Sequence, residues 1–222
     1  MSIPREQIEE NLGTVRGRMA AAAGRAGRRP GEVKLVAVTK SVGLDEILTL
    51  SGMGVTDMGE NRPETSVDKL RAMAGKVCRH MIGNLQSRKV RGAVDLFDRI
   101  DAVDRIEMAE ALERRCAEVG RIMPVLIEVN VSGEASKHGF QSKEVSRVLD
   151  AIAAMPHLRV EGLMTMAPAV ENPEEIRPVF RTLRVLAQTH ALSVVSMGMS
   201  DDFEVAIEEG STEVRIGSAL FK

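Results

Sequence analysis

The sequence predicts an α/β fold, a single (β/α)8 TIM barrel with an extra N-terminal helix, on three observations. Short apolar runs alternate with helical patterns through eight repeats; no GxGxxG turn follows the first run; and 222 residues with 44% hydrophobic content suffice for one sizeable core. Strands separated by single helices imply right-handed crossovers and a parallel sheet, and eight such units close most simply into a barrel. A doubly wound open sheet is the competing arrangement, and the missing glycine turn weakens its nucleotide-binding version.

The first element is a helix. Ile8, Leu12, Val15, Met19, Ala22 and Ala26 recur at spacings of four and three and line one face, and Arg28, Arg29, Pro30 and Gly31 end it. The strand runs are VKLVAVTK (33–40), VTDMGEN (55–61), VCRHMIG (77–83), FDRIDAVD (97–104), PVLIEVNVS (124–132), RVEGLMTMA (159–167), SVVSMGMS (193–200) and EVRIGSALF (213–221). Helical patterns stand between them at 44–53, 63–75, 85–94, 104–120, 143–155, 173–190 and 201–210. The last run reads as a strand continuing to the end of the chain, so the usual eighth helix is missing. The N-terminal helix, 1–29, is expected to cover that part of the wall. Residues 1–222 then form one domain.

Composition excludes several classes of function. The formal net charge of −2 offers no basic surplus for nucleic acid, and five Phe with no Trp or Tyr leave few platforms for stacking bases. The N-terminal MSIPREQIEE is acidic where a secretory signal would be basic and then apolar, and no apolar run approaches membrane-spanning length, so a cytoplasmic protein is expected. Cys78 and Cys116 lie far apart with no CxxC partner, which suggests neither a disulfide framework nor a metal site. The thirteen Met are scattered and read as adaptable packing.

In a barrel, function gathers in the loops after the strands. Those ends are Thr39-Lys40, Gly59-Glu60-Asn61, His80-Met81-Ile82-Gly83, Asp101, Asn130, Met164-Thr165-Met166-Ala167, Met197-Gly198-Met199-Ser200 and Arg215-Ile216-Gly217-Ser218. Lys40 reads either as a solvated lysine or as a Schiff-base amine activated by its neighbours. SMGMS and RIGS each bring a glycine and a serine where such barrels often bind phosphate. Gly217 admits an anion close to the backbone, Ser218 N–H and Ser200 hydroxyl donate to it, and the helix from Asp201 aims its positive end there. Asp201, Asp202 and Glu204 at that helix start must then point away. An aldehyde-binding amine, an anion cradle and an inward Arg215 together suggest pyridoxal 5'-phosphate (PLP), with Arg215 at the ring nitrogen, where it leaves that nitrogen unprotonated and weakens the ring as an electron sink. A structural Arg215 paired with Asp101 or Glu128 is the alternative.

The motifs AVTK, GEN, HMIGNLQSRKV, VNVSGEASKHGF, GLMTMAP and SMGMSDDFEVAIEEGSTEVRIGSALF stand in the order found in the pyridoxal phosphate homeostasis proteins (YggS/PROSC-type PLP-binding proteins), and the chain resembles that family from about Val33 to Phe221. The family is similar to the barrel domain of alanine racemase and related fold-type III enzymes. The resemblance implies that Lys40 is the aldimine lysine, that Asn61 lies beside the phenolic oxygen, and that His80, Ile82 and Met164 approach the cofactor. It places the phosphate on Ser200, Gly217 and Ser218 and the ring nitrogen on Arg215. Lys137 matches a family lysine near the site and reads either as a second amine for cofactor exchange or as a solvated loop residue. Arg62 and Arg79 depart from the pattern, standing where the family usually has Tyr and Trp, and the family usually extends several residues beyond the last strand.

The function so implied is to hold PLP and act in its intracellular homeostasis or delivery, with apo-PLP enzymes as recipients, no nucleic-acid or membrane partner, a monomer by default, and no clear turnover. The alternative is a PLP-dependent amino-acid racemase-like enzyme, which needs acid/base groups on both faces of the ring. The racemases supply the second from a tyrosine in a separate domain, and the sequence has no Tyr. A lysine-dependent aldolase would need a neighbouring acid/base, for which His80 is the obvious candidate.

Overall fold

The chain was analysed as a computed structural model, which describes residues 3–64 and 67–222. Thr65 and Ser66, inside the helical pattern expected over 63–75, lie outside the described residues, as do Met1 and Ser2. The first helix, α1 (Arg5–Arg25), buries Ile8, Leu12, Val15, Met19, Ala22 and Ala23 along one face. It stops where Gly27 takes a positive φ of 67° and Arg28 N–H turns back to Ala23 O at 2.9 Å, a conformation that glycine adopts without penalty.

All eight expected strands form, at β1 (Lys34–Val38), β2 (Asp57–Glu60), β3 (Cys78–Met81), β4 (Arg99–Val103), β5 (Met123–Asn130), β7 (Leu158–Met164), β8 (Val194–Ser196) and β9 (Glu213–Ile216). A two-residue strand, β6 (Phe140–Gln141), pairs with the far end of β5 outside the barrel. The order β4-β3-β2-β1-β9-β8-β7-β5, with β4 also pairing β5, closes the ring, and every pairing is parallel. The helices α2 (Leu44–Gly52), α3 (Val67–Ala72), α4 (Val90–Leu96), α5 (Ile106–Val119), α6 (Val145–Ala153), α7 (Arg177–Thr189) and α8 (Phe203–Glu208) follow the strands in turn. Apolar residues on the outer strand face, such as Met58, Met81, Ile100 and Ile127, join the helices' apolar stripes in one buried cluster.

Two expectations need correction. The final run is not a strand to the end: after Ile216 the chain turns at Gly217 into a one-turn helix, α9 (Ser218–Phe221). Ala219, Leu220 and Phe221 face the α1 and β-strand cluster from that turn instead of extending the sheet. The expected cover by α1 does form: Asn11 Nδ2 donates to Leu220 O at 3.1 Å and to Lys222 O at 2.9 Å. Second, Asp101 is not a rim residue, because β4 runs on to Val103 with an irregularity in register between Ile100 and Val103. Asp101 is fully buried, and Asp104 takes its place at the strand's end.

The barrel interior divides into two layers. Strand alternation turns Lys34, Asp57, His80, Arg99, Asp101 and Glu213 inward at the end where the strands begin, and these residues bond to one another. Above them Val36, Gly59 and Ile82 meet: a methyl on Gly59 would lie 3.0 Å from Ile82 Cδ1 and 3.3 Å from Val36 Cγ1. On the other side Ala102, Leu126 and Met164 form a small separate apolar cluster. Where most barrels fill the lower layer with branched aliphatic residues, this one uses ions.

Candidate cofactor site at the barrel mouth

Lys40 follows β1 directly and is exposed at the rim. Among the described residues no hydrogen bond or ion pair engages its amine. The residues around its base are tightly fixed. Thr39 Oγ1 donates to Glu60 Oε1 at 2.6 Å, and Lys69 Nζ reaches Glu60 Oε1 at 2.7 Å, Thr39 O at 2.9 Å and Val42 O at 3.1 Å. A second lysine thus neutralises the buried Glu60 and leaves Lys40 open to solvent.

The loops after β8 and β9 converge beside it. In register, Ala37 pairs with Ile216, so Gly217 lies against Val38, and a Cβ added to Gly217 would sit 3.3 Å from Val38 Cβ. Ser200 Oγ accepts from Ala219 N at 3.3 Å and links the two loops. Ser218 begins α9, so its N–H has no acceptor within that helix. Two of the carboxylates that crowd the start of the preceding helix are already engaged: Asp202 Oδ1 accepts from Met199 N at 2.5 Å, and Glu204 pairs with Arg18 at 2.8 Å. The helix dipole expected from Asp201 is small, because α8 starts only at Phe203 and has six residues.

Arg215 enters the barrel from β9. It is 4% exposed, and its guanidinium donates to Ser196 Oγ and Thr165 O, both at 2.8 Å. Neither Asp101 nor Glu128 contacts it among the described residues, so its hydrogen bonds go to neutral oxygens. Burial lowers its pKa, although the charges of Asp101 and Glu128 oppose the shift.

Glu128 stands in the same layer on β5, 3% exposed, with Met164 beside it in register. Burial, with the Asp104 charge, raises its pKa from 4.5 to about 7, and Arg215 only partly offsets this. In the folded protein the group therefore holds its proton to higher pH than in the unfolded chain. The stability it contributes is complete below pH 4.5 and is lost as pH rises through 7, by on the order of 3 kcal/mol in total. Glu128→Gln is accordingly expected to raise the unfolding midpoint at pH 8 and to leave it unchanged at pH 4.5. Denaturant titrations of both proteins at the two pH values measure this; equal midpoints at pH 8 would show that Glu128 ionises without cost.

His80 lies below this layer and is fully buried. Its Nε2 is 2.9 Å from Asp57 Oδ1 and its Nδ1 is 3.1 Å from Asp101 Oδ2. Burial opposes a charge on the ring, but the Asp101 carboxylate and the two hydrogen bonds outweigh it and raise the His80 pKa well above 6.5. The same contacts overcome burial to hold Asp57 down at about 2 and Asp101 lower still. His80 is thus an imidazolium with both nitrogens occupied. It belongs to the floor beneath the site and has no ring nitrogen free to act as a base at the mouth. The strand position was legible in the sequence; its depth was not.

Asn61 follows β2 at the rim, half-buried, with Gly83 pressed against it: a Cβ on Gly83 would lie 2.5 Å from Asn61 O. Across the mouth, Asn130 organises the SGEASK loop, donating to Glu134 O at 2.9 Å and accepting from Gly133 N at 3.0 Å. Lys137 in that loop is held by Met166 O at 3.1 Å and Glu134 at 3.2 Å, so it is an anchored residue of the rim and not a freely solvated one. The two departures from the family pattern differ in kind. Arg79 points away from the mouth, where it clasps Asp98 at 2.8 Å and reaches Leu70 O at 3.2 Å, while Arg62 is exposed beside Asn61.

An open amine, a backbone-lined gap flanked by serine and glycine, and a buried arginine deep between them suit a carbonyl compound carrying an anion one small ring away. A barrel with these features is of the alanine racemase N-terminal type, and the model of the alanine racemase N-terminal domain family matches residues 6–222. The pyridoxal phosphate homeostasis protein of Aquifex aeolicus is 39% identical over 219 residues, covering 96% of each chain. That of Escherichia coli K12 is 40% identical over 228 residues, covering 96% of this chain and 95% of its own. Among solved structures, PipY of Synechococcus elongatus with PLP bound superposes with a TM-score of 0.83 at 29% identity over 97% of this chain and all of its own. The chain belongs to the pyridoxal phosphate homeostasis protein family. Among the described residues no helix is long and apolar enough to cross a membrane.

Proposed function

We propose that this protein binds PLP covalently through the Lys40 amine, with the phosphate in the gap formed by Ser200, Gly217 and Ser218, and that it serves PLP homeostasis by holding and handing on the cofactor. The observation that carries the reading is the approach of Gly217 to Val38, two residues before Lys40, which brings the ends of β1 and β9 to one rim and supports an amine and an anion cradle there. Arg215, fixed by Ser196 and Thr165, is the residue to face the ring nitrogen. Asn61 and Ile82 border the ring on the β2 and β3 side and Met164 supports it from β7, while His80 acts one layer beneath. PLP supplies an electrophilic aldehyde when bound; a guanidinium at the ring nitrogen withholds the protonation that makes it a strong electron sink. A carrier is therefore favoured over a racemase, and the absence of tyrosine from the sequence removes the residue that serves the racemases' second face. Recipients are apo-PLP enzymes, and the working unit is a cytoplasmic monomer.

The phosphate assignment is tested by comparing PLP with pyridoxal, which lacks the phosphate. Ser200→Ala removes one donor and is expected to weaken PLP binding about three- to tenfold, with pyridoxal unaffected. Gly217→Val is expected to act more strongly, because its side chain must displace Val38 and closes the backbone approach. Equal losses for the two ligands would place the phosphate elsewhere. Holding without turnover is tested by incubating the PLP-loaded protein with L-amino acids: rapid α-proton exchange or D-isomer formation would favour the racemase reading.

A further inference from the structure

The floor of the barrel brings together three metal-binding groups that spacing in the sequence does not single out. A carboxylate oxygen of Asp57, the Sγ of Cys78 and a ring nitrogen of His80 all lie within 4.8 Å of one another. Cys78 and His80 are two apart on β3 and so share its inner face, and Asp57 pairs with Cys78 in register on the neighbouring strand. On the opposite side of the barrel from Lys40, a cleft of about 490 Å³ opens onto Asp57 and Cys78, with Lys34, Thr56 and Asp98 at its edges. We propose that Asp57, Cys78 and His80 form a zinc site in the base of the barrel, reached through this cleft and separate from the cofactor mouth.

The donor set favours zinc. A thiolate, an imidazole and a carboxylate are its usual ligands, and a tetrahedral ion on three protein donors keeps one position for water, which the cleft supplies. The supports are already in place. Asp101 Oδ2 holds His80 Nδ1 at 3.1 Å and is itself fixed by Arg99 at 2.7 Å, the carboxylate–histidine arrangement that orients a ligating imidazole. Thr56 Oγ1 donates to Asp57 Oδ2 at 2.7 Å and steadies the carboxylate. Lys34, the cation on Asp57 Oδ1 at 3.2 Å, is half exposed and can withdraw into solvent.

In the metal-free floor the charged groups facing His80 are Asp57 from β2 and Asp101 from β4, backed by Arg99 from β4, Lys34 from β1 and Glu213 from β9. On binding, the dication takes a thiolate and a neutral imidazole as ligands, and any protons displaced from those groups go to solvent. No oxidant or reductant is required.

The test is titration of the full-length, chelator-treated protein with zinc against a chromophoric competitor, and with cobalt as a spectroscopic substitute. One equivalent of zinc is expected to bind with release of protons, and cobalt to show a thiolate charge-transfer absorption. Cys78→Ser should abolish that absorption and weaken zinc at least about tenfold, whereas Cys116→Ser, in the outer core, should change neither. Circular dichroism of each variant verifies folding, and Cys78→Ser is a mild change at a half-buried position. Absence of zinc uptake by the wild type, or uptake and absorption that survive in Cys78→Ser, would overturn the site. Because PLP attachment at Lys40 is measured separately by its visible absorption, failure of one site leaves the other standing.

Discussion

Lys40→Ala is expected to yield a folded, colourless protein that borohydride cannot label with PLP, while the wild type is yellow and is fixed to the cofactor at a single lysine. The change removes the nucleophile and little else. Lys40 is exposed, and the charge of the neighbouring Glu60 is met by Lys69, so no buried carboxylate is stranded by the mutation. Stability should therefore stay close to wild type, in contrast to its loss of binding, where residual affinity comes only from the phosphate gap and ring contacts. Peptide mapping of the reduced wild-type protein by mass spectrometry locates the label. A label on Lys137, which is anchored to Met166 O across the mouth, would transfer the attachment to the opposite rim and overturn the assignment. Persistence of the full visible spectrum in Lys40→Ala would do the same.

The second large effect concerns stability. Asp101 is fully buried and answers two cations at once, His80 through Oδ2 and Arg99 through both oxygens at 2.7 and 2.9 Å. Removing it leaves an imidazolium and a guanidinium in the interior balanced by Asp57, Glu213 and the more distant Glu161, at 3.7 Å from Arg99, so Asp101→Ala should cost about 3–5 kcal/mol. Denaturant unfolding at neutral pH measures the loss. Arg29→Ala breaks the exposed Arg29–Glu32 pair of 2.8 Å and is the control, expected to have no measurable effect. The contribution also depends on pH. His80, raised in the folded state, contributes fully below about 6.5 and loses its share as pH climbs through its elevated pKa; Asp57 contributes above 3.8 and fails as pH drops toward 2. The floor is thus strongest between those limits. A variant no less stable than the Arg29→Ala control would mean that water or neighbouring groups replace Asp101 without cost.

Much of this architecture was legible because the sequence alternates apolar runs with helical spacing, and parallel strands buried behind helices leave just that imprint. The α1 face was read correctly to within one residue, Ala23 being buried where Ala26 was expected. Depth along a strand was harder. Asp101 looked like a strand end because the irregular pairing between Ile100 and Val103 cannot be seen in one strand alone. His80 looked like a mouth residue because its neighbours Ile82 and Gly83 belong to the upper layer and rim. The tail misled for another reason: Ser-Ala-Leu-Phe is too short to have a period, and its apolar residues suit a strand or a helical turn equally. Cys78 and His80 stand two residues apart on one predicted strand, but the sequence does not place Asp57 beside them; the neighbouring strand does.

The joining of β1 to β9, through Lys34 with Glu213 and Ala37 with Ile216, has a consequence for biogenesis. The lysine proposed to attach PLP is translated well before the residues proposed to hold its phosphate, so on that assignment a growing polypeptide on the ribosome cannot retain the vitamin until the seam has zipped. Acquisition of colour during synthesis would then serve as a clock for ring closure, and a slow-closing mutant would reveal itself by delayed yellowing before any loss of final yield.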